Sequence, residues 1–308
     1  MKGRVVLSGG SGFLGRSLAQ PLLRDGSDVV VLTRKAGPAA GGVRFVQWDG
    51  RTLGDWGTLL DGARAVVNLT GKSVNCRYTP AARAEILSSR VDSVRVLGEA
   101  IARCTQPPGV FVQASSLAIY GNSGERICTE DSSYGTDFSA DVCKQWEAAF
   151  NALDFPRMRK VVLRIGFALQ RGEGALRTLE RITRLFLGGT VGGGRQFISW
   201  IHLADLERMF ISALERDDLS GPFNATSPAP VTNADFMREL RRALHRPWSP
   251  PAPAPLVRLG AWAMGTEAEL ALHGFRCVPT RFLEHGFTFQ HSNLGETLRD
   301  LYAMDKRT

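Results

Sequence analysis

Residues 5–15 read Val5-Val6-Leu7-Ser8-Gly9-Gly10-Ser11-Gly12-Phe13-Leu14-Gly15, a short apolar run that opens directly into Gly-x-x-Gly-x-x-Gly. A helical pattern follows, with Leu14, Leu18 and Leu22 spaced i, i+4 and i+8. Strand, glycine turn and helix in that order aim backbone N–H groups and a helix N-terminus at one point, an arrangement that holds a pyrophosphate. Gly9 allows the tight turn, Gly12 lets the backbone approach the phosphates, and Gly15 lets helix and strand pack closely. With 33 glycines in 308 residues some such spacings arise by chance. The strand before this one and the helix after it give it meaning.

The next apolar run, Asp28-Val29-Val30-Val31-Leu32, ends at Thr33-Arg34-Lys35. A site selective for NAD carries an acid at this strand end, on the ribose hydroxyls. Asp28 stands at the opposite end. Thr33, Arg34 and Lys35 instead offer a hydroxyl and two cations where the 2′-phosphate of NADP would lie, and a guanidinium fork suits a phosphate. The pattern therefore favours NADP(H) over NAD(H).

Strand and helix patterns alternate through the first half: 4–8, helix 12–24, 28–33, 43–48, 64–70, helix 80–103 and 109–115. That alternation predicts an α/β fold, a Rossmann-type doubly wound parallel sheet. A helix near 141–152 leads to a buried strand at Val161–Gly166. From about 171 the texture changes, with Gly188-Gly189 and Gly192-Gly193-Gly194 in a loop, a helix near 203–215 and a strand near 222–226. Phe236, Leu240 and Leu244 mark a further helix that Asn233 is expected to cap, and five prolines between Pro247 and Pro255 suggest a rigid connector. The expected division is a dinucleotide-binding domain over 1–170, completed by about 198–230, and a smaller α+β substrate-side domain from 171–197 and 231–308.

Composition allows a sizeable core, at 44% hydrophobic and 22% charged residues. The net charge of +8 suits an anionic ligand. No aromatic-interleaved basic tract accompanies it, so no nucleic acid is expected. No run of about 18 apolar residues exists, so no membrane is expected either. Five widely spaced cysteines without a C-x-x-C predict neither disulfides nor a metal site and fit a cytoplasmic setting. With a core strand at the start, no signal peptide is expected.

The glycine motif, Ser115-Ser116-x3-Tyr120-Gly121 and Trp200-Ile201-His202-x2-Asp205 together resemble the extended short-chain dehydrogenase/reductases. Asn68-Leu69-Thr70-Gly71, Trp146-Glu147-Ala148-Ala149 and the run from Gly192 to His202 resemble, more narrowly, the atypical "epimerase family" branch with a small C-terminal domain of unknown function. The resemblance implies NADP(H) held by Gly9, Gly12, Phe13, Leu14 and Gly15 at the pyrophosphate and by Thr33 and Arg34 at the adenosine phosphate. It further implies cofactor contacts from Leu69, Thr70, Gly71, Glu85, Arg90 and Ala168. Read without it, Glu85 and Arg90, five apart on one helix, are equally an exposed ion pair.

Active members of that superfamily move a proton with a Tyr whose pKa a Lys four residues later lowers, and hold the substrate oxygen with a Ser. Ser116 matches the Ser position. Tyr134 is followed four residues on by Phe138, and Phe138 by Val142, so the Tyr-x3-Lys pair is missing. Tyr302-x3-Lys306 matches the spacing but lies at the far end of the chain. Tyr120 is the candidate replacement proton donor, with packing in a turn as its other reading. Arg195 is the candidate contact for an anionic substrate, and His202 is expected to start a helix. Two functions remain: an NADP(H)-dependent, epimerase-like oxidoreductase on a nucleotide-linked or other anionic carbonyl or hydroxyl compound, and a non-catalytic, NADP(H)-binding regulatory protein of the cell-division-factor type. Oligomeric state is left open.

Overall fold

The apolar runs Val5–Leu7, Val29–Leu32, Ala65–Val67 and Val110–Val112 are buried throughout, as strands covered on both faces must be. In the computed structural model, which describes residues 3–303, they form the middle of one sheet. The chain runs β1 (Arg4–Ser8), α1 (Phe13–Arg24), β2 (Asp28–Thr33), β3 (Val43–Gln47), β4 (Ala65–Asn68), α2 (Pro80–Ala102), β5 (Val110–Ser116), β6 (Ile127–Cys128), α3 (Phe138–Asn151) and β7 (Arg159–Ile165). It continues through β8 (Phe167–Leu169), α4 (Gly174–Arg184), β9 (Phe197–Ile198), β10 (Trp200–His202), α5 (Leu203–Glu215), β11 (Gly221–Ala225), β12 (Val231–Thr232) and α6 (Asn233–Ala243). The last elements are α7 (Ala254–Met264), α8 (Glu269–Leu272), β13 (Arg276–Cys277), α9 (Thr280–Glu284) and α10 (Leu294–Ala303).

Seven parallel strands lie in the order β11-β7-β5-β4-β1-β2-β3. The chain winds outward from β1 to β3, then returns to β4 on the other side of β1. That reversal opens a crevice at the carboxyl ends of β1 and β4, where ligands of open α/β sheets bind. Alternate residues face opposite layers. Val5, Leu7 and Val31 pack with Leu18 and Leu22 of α1 and Phe210 of α5. Val6, Val30 and Leu32 face the layer that holds Leu97 of α2, Phe150 of α3 and the Trp48–Trp56 pair.

A separate core of Leu169, Leu176, Trp200, Phe236, Leu240 and Leu298 joins β8 and β10 to α4, α6 and α10. Short strand pairs link this part to the rest, β8 with β10, β9 with β12 and β6 with β13. From the C-terminal part, Phe282 and Phe287 join the core of the central sheet.

Two helix starts differ from expectation. Thr232, and not Asn233, caps α6 by accepting from Asp235 N. The Asn233 side chain reaches across to accept from Val191 N at 2.9 Å. Helix α3 begins at Phe138, earlier than 141, because Asp137 accepts from Ala140 N at 2.9 Å. Phe138 and Val142 are therefore one turn apart on a helix.

Candidate functional site

The glycine turn packs as its spacing requires. Gly9 sits at φ +69, and a Cβ there would stand 2.9 Å from the Thr70 backbone. A Cβ on Gly15 would stand 2.3 Å from Gly10, whereas Gly12 has only its own turn nearby, the Gly9 carbonyl at 3.5 Å. Gly12 thus leaves space for a ligand where the other two leave none for a side chain. It also begins α1 with no side-chain cap. The first amide bonded back into the helix is that of Arg16, to the Gly12 carbonyl at 3.0 Å. The amides of Phe13, Leu14 and Gly15 are left for an anion.

Across the crevice, Asn68 organises the turn after β4. Its carboxamide accepts from Ser8 Oγ at 2.7 Å and from Thr70 N at 3.0 Å, and donates to Ser93 and Gln113. Leu69 and Thr70 are thereby held beside Gly9. Thr70 Oγ1 is buried without a partner, a polar atom that a ribose or phosphate oxygen would satisfy. Sequence reasoning quoted Asn68 but gave it no role.

At the end of β2, Thr33 is buried and its hydroxyl donates to Ser11 Oγ at 3.0 Å. Thr33 therefore orients Ser11, an exposed residue of the glycine turn that the sequence reading passed over. Arg34 is exposed and lines a cavity of about 440 Å³ with Gln47, Trp48, Asp49, Thr52, Gly54 and Trp56. Ala168, on β8, is half-buried opposite Ile201. It leads into a loop that closes on α1 through the Arg16–Glu173 ion pair.

Glu85 and Arg90 do not pair with each other. Glu85 binds Lys72 at 2.8 Å, and that hydrogen bond holds its carboxyl below the usual range. Arg90 is turned inward, donating to the carbonyls of Lys72 and Ile86 at 3.1 and 2.8 Å and lying over the Trp146 ring. A Cβ on Gly71 would stand 3.0 Å from its guanidinium carbon, so glycine there lets the cation reach the crevice. Burial lowers the Arg90 pKa, but from a value so high that the group stays charged.

Beyond β5 a second cavity of about 550 Å³ opens between α2, α3 and the α8 region. Arg83, Arg90, Ser116, Asn122, Asp137, Ser139, Glu267, Glu269 and His273 supply polar groups, and Ile86, Phe138, Val142, Trp146 and Phe275 much of its apolar wall. Ser116 accepts from Ala118 N at 3.2 Å, so its own proton is left to donate into the cavity. Phe138 and Val142, one of the two spacings at which the Tyr-x3-Lys pair is missing, both line the cavity. Tyr78, absent from the sequence reading, also lines it, with a buried hydroxyl that lacks a partner. The Cys143 thiol is pushed up to about 12 by burial and then by Glu147, which makes it a poor nucleophile.

Tyr120 does not reach this cavity. It is 1% exposed, its hydroxyl donating to Asn224 Oδ1 at 2.7 Å and accepting from Arg164 at 2.8 Å. Burial raises its pKa well above the ordinary phenol value. The packing reading replaces the proton-donor expectation. Arg195 is exposed and lines none of the cavities described. Nothing draws it inward, because the loop beside it is held by Gln196 bonds to Val191 and Ala271. His202 does start a helix, its Nδ1 accepting from Ala204 N at 3.2 Å. Lys306 lies outside the described residues. Among those residues no cluster of His, Cys, Asp or Glu is arranged to hold a metal, and no helix is long and apolar enough to cross a membrane.

A doubly wound sheet with an uncapped glycine-turn helix at its switch point, facing a separate side-chain cavity, defines a dinucleotide-binding α/β protein of the short-chain dehydrogenase/reductase type. Comparison with known proteins places it more narrowly. Residues 5–143 match the NAD dependent epimerase/dehydratase family, and residues 252–301 match a domain of unknown function, DUF1731. The bovine epimerase family protein SDR39U1 is 37% identical, over 97% of this chain and 100% of the bovine protein. Epimerase family protein YfhF of Bacillus subtilis is 33% identical over 99% of each. The crystal structure of human SDR39U1 (isoform 2) with NADPH has a TM-score of 0.86 at 32% identity, covering 97% of this chain and 99% of the human one. The chain belongs to this epimerase family.

Proposed function

We propose that the protein binds NADPH along the β1–β4 crevice and transfers hydride between it and a carbonyl or hydroxyl group of a small anionic substrate in the 550 Å³ cavity. Bound, the cofactor supplies the hydride. The free amides of Phe13, Leu14 and Gly15 hold its pyrophosphate, Leu69, Thr70 and Gly71 border the neighbouring ribose, and Arg34 with Ser11 meets the adenosine phosphate. Glu85, through Lys72, and Arg90 fix the crevice wall, and Ala168 closes the side towards α1. The reading rests on Ser116, whose hydroxyl proton is free to polarise a substrate oxygen at the end of β5. Arg83 and Arg90 are the cations that would meet a negatively charged group of the substrate, nucleotide-linked or otherwise, in a cavity that Asp137, Glu267 and Glu269 also line. A cytoplasmic setting belongs to this reading and is supported by the five cysteines, none of them in a disulfide.

Fluorescence titration with NADPH, followed by a panel of anionic carbonyl compounds, tests the proposal. Cofactor oxidation that Ser116→Ala abolishes without loss of NADPH affinity supports it. Absence of NADPH binding refutes it. One observation favours a second reading, a binding protein whose NADPH occupancy signals to a partner. Phe138 and Val142, which carry no titratable group, line the cavity where a proton-transfer pair would be required. Tight NADPH binding with no turnover across the panel would select that reading.

A further inference from the structure

Helix α7 has eleven residues, and Ala261 alone among them is buried. Leu256, Leu259, Trp262 and Met264 are 58, 61, 64 and 63% exposed. Isolated exposed apolar residues are ordinary, but a whole helix of them marks a contact surface. The surface extends back along the chain. The connector before α7 lies against residues 189–192, with Ala252 N on the Thr190 carbonyl and Gly192 N on the Ala252 carbonyl, each at 2.8 Å. Just before that loop, the Leu185-Phe186-Leu187 tripeptide is exposed, as is Trp248 in the connector. Arg246 binds both together, its guanidinium 4.9 Å from the Phe186 ring and donating to the Arg184 carbonyl. Phe186 stands at φ +60 just past the end of α4, a position that usually takes glycine. An aromatic side chain is thus held outward at a site where the backbone disfavours one.

The charge around this surface is one-sided. Segments 174–188 and 233–264 contain eight arginines and three acidic residues, a net +5 in a chain whose total is +8. All three of those acids are already paired, Glu180 with Arg184, Asp235 with Arg238 and Glu239 with Arg242, which leaves Arg177, Arg181, Arg241, Arg246 and Arg258 as the surplus of positive charge. Between Asp235 on α6 and Glu267 beyond α7, Glu239 is the only acidic residue, and Arg258 sits in the middle of the apolar helix. A second copy docked about a two-fold axis would set arginine against arginine. An anionic lipid surface offers the complement to both features, apolar depth for the leucines and tryptophans and negative headgroups for the arginines. We infer that this face, α7 with the ends of α4 and α6, docks peripherally on an anionic bilayer surface without spanning it. The inference revises the expectation of no membrane contact and does not depend on the hydride-transfer reading.

Flotation of the full chain with vesicles of phosphatidylcholine, alone or mixed with phosphatidylglycerol, tests it, with light scattering on the same samples. The wild type is expected to float with the mixed vesicles and to be released by high salt. Leu256→Ser/Leu259→Ser and, separately, Arg258→Glu should each weaken retention by about fivefold or more. Both variants change exposed side chains, and unchanged NADPH titration and circular dichroism certify their folding. Three results would overturn the inference: no retention on mixed vesicles, equal retention on the neutral ones, or a dimer that the leucine variant dissociates while vesicles retain nothing.

Discussion

Replacing Arg34 by Ala isolates the selectivity argument, because only the adenosine phosphate distinguishes NADPH from NADH at that end of the crevice. A hydrogen bond between charged groups is worth about 1.5–3 kcal/mol net. Arg34 is exposed at the rim of its cavity, so solvent and salt screen the contact and the lower part of that range applies. Lys35 remains as a second cation, and Ser11, held by Thr33, remains as a hydroxyl. About 1.5–2 kcal/mol corresponds to a Kd for NADPH raised roughly 10- to 30-fold. NADH, lacking the phosphate, should change by less than about twofold. Both constants come from quenching of protein fluorescence on titration with each reduced nucleotide. The NADPH effect should shrink as ionic strength rises. Equal losses for the two nucleotides, or none for either, would refute the placement of the phosphate beside Arg34.

Gly9→Ala forces a side chain into the left-handed region and against Thr70, and should abolish NADPH binding or soluble expression, read by titration of whatever protein is recovered. Tyr120→Phe leaves Asn224 and Arg164 each short of a buried partner; urea denaturation should register a loss of about 1–3 kcal/mol, with NADPH affinity unchanged. A large change in affinity would return Tyr120 to the site. The pKa of His202 is held down to about 4 by burial and by the His291 ring, whose centroid lies 3.8 Å away with the planes tilted by 36°. Its folded pKa lies below the unfolded value of about 6.5, so the unfolded chain binds the extra proton. Stability is unaffected above about pH 6.5 and falls progressively towards pH 4, by about 1–2 kcal/mol after allowance for the partial exposure of the ring. In melting curves across that range, His202→Asn, which keeps a helix cap, should flatten the slope.

The sheet was readable because its strands are uninterrupted β-branched runs punctuated by glycine and cap residues, signals that lie within a few residues of one another. The crevice was readable for the same reason: Gly9, Gly12 and Gly15 are local, and their packing follows from their spacing. What sequence could not supply was the direction of side chains across long separations. Asn68 looked like a strand end until Ser8, Ser93 and Gln113 were seen to converge on it. Glu85 and Arg90, five apart on α2, stand about 140° apart around the helix, so spacing alone did not decide their partners. Lys72, brought back by the turn after β4, takes the carboxylate, while the Trp146 face and two carbonyls take the guanidinium. Arg195 carried a plausible charge in a plausible loop, but nothing local could reveal that the loop faces outward.

Several residues that carry the family resemblance serve a buried polar network and leave the chemistry to others. Arg164 is fully buried, and Glu147 clamps it with two bonds of 3.0 and 2.8 Å while also accepting from Ser115 at 2.6 Å. Tyr120 and the Glu130 carbonyl take further guanidinium protons, and Asn224 links the Tyr120 hydroxyl to Val278 near β13. One charge pair thereby ties the ends of β5 and β7 to α3, the β11 edge and the C-terminal segment. Removing either partner strands the other charge in the interior, which typically costs about 3–5 kcal/mol, whereas a well-packed apolar pair is often tolerated. Ionic residues retained at such positions are consistent with a demand for geometry. The network ends at Ser115, one residue before the hydroxyl that faces the cavity. Ser115 precedes Ser116 directly in the chain, so if the proposed hydride transfer operates, Glu147→Gln should disturb Ser116-dependent turnover and global stability together, and leave NADPH affinity near its original value. Turnover preserved at full rate in a clearly destabilised Glu147→Gln protein would separate the network from the site.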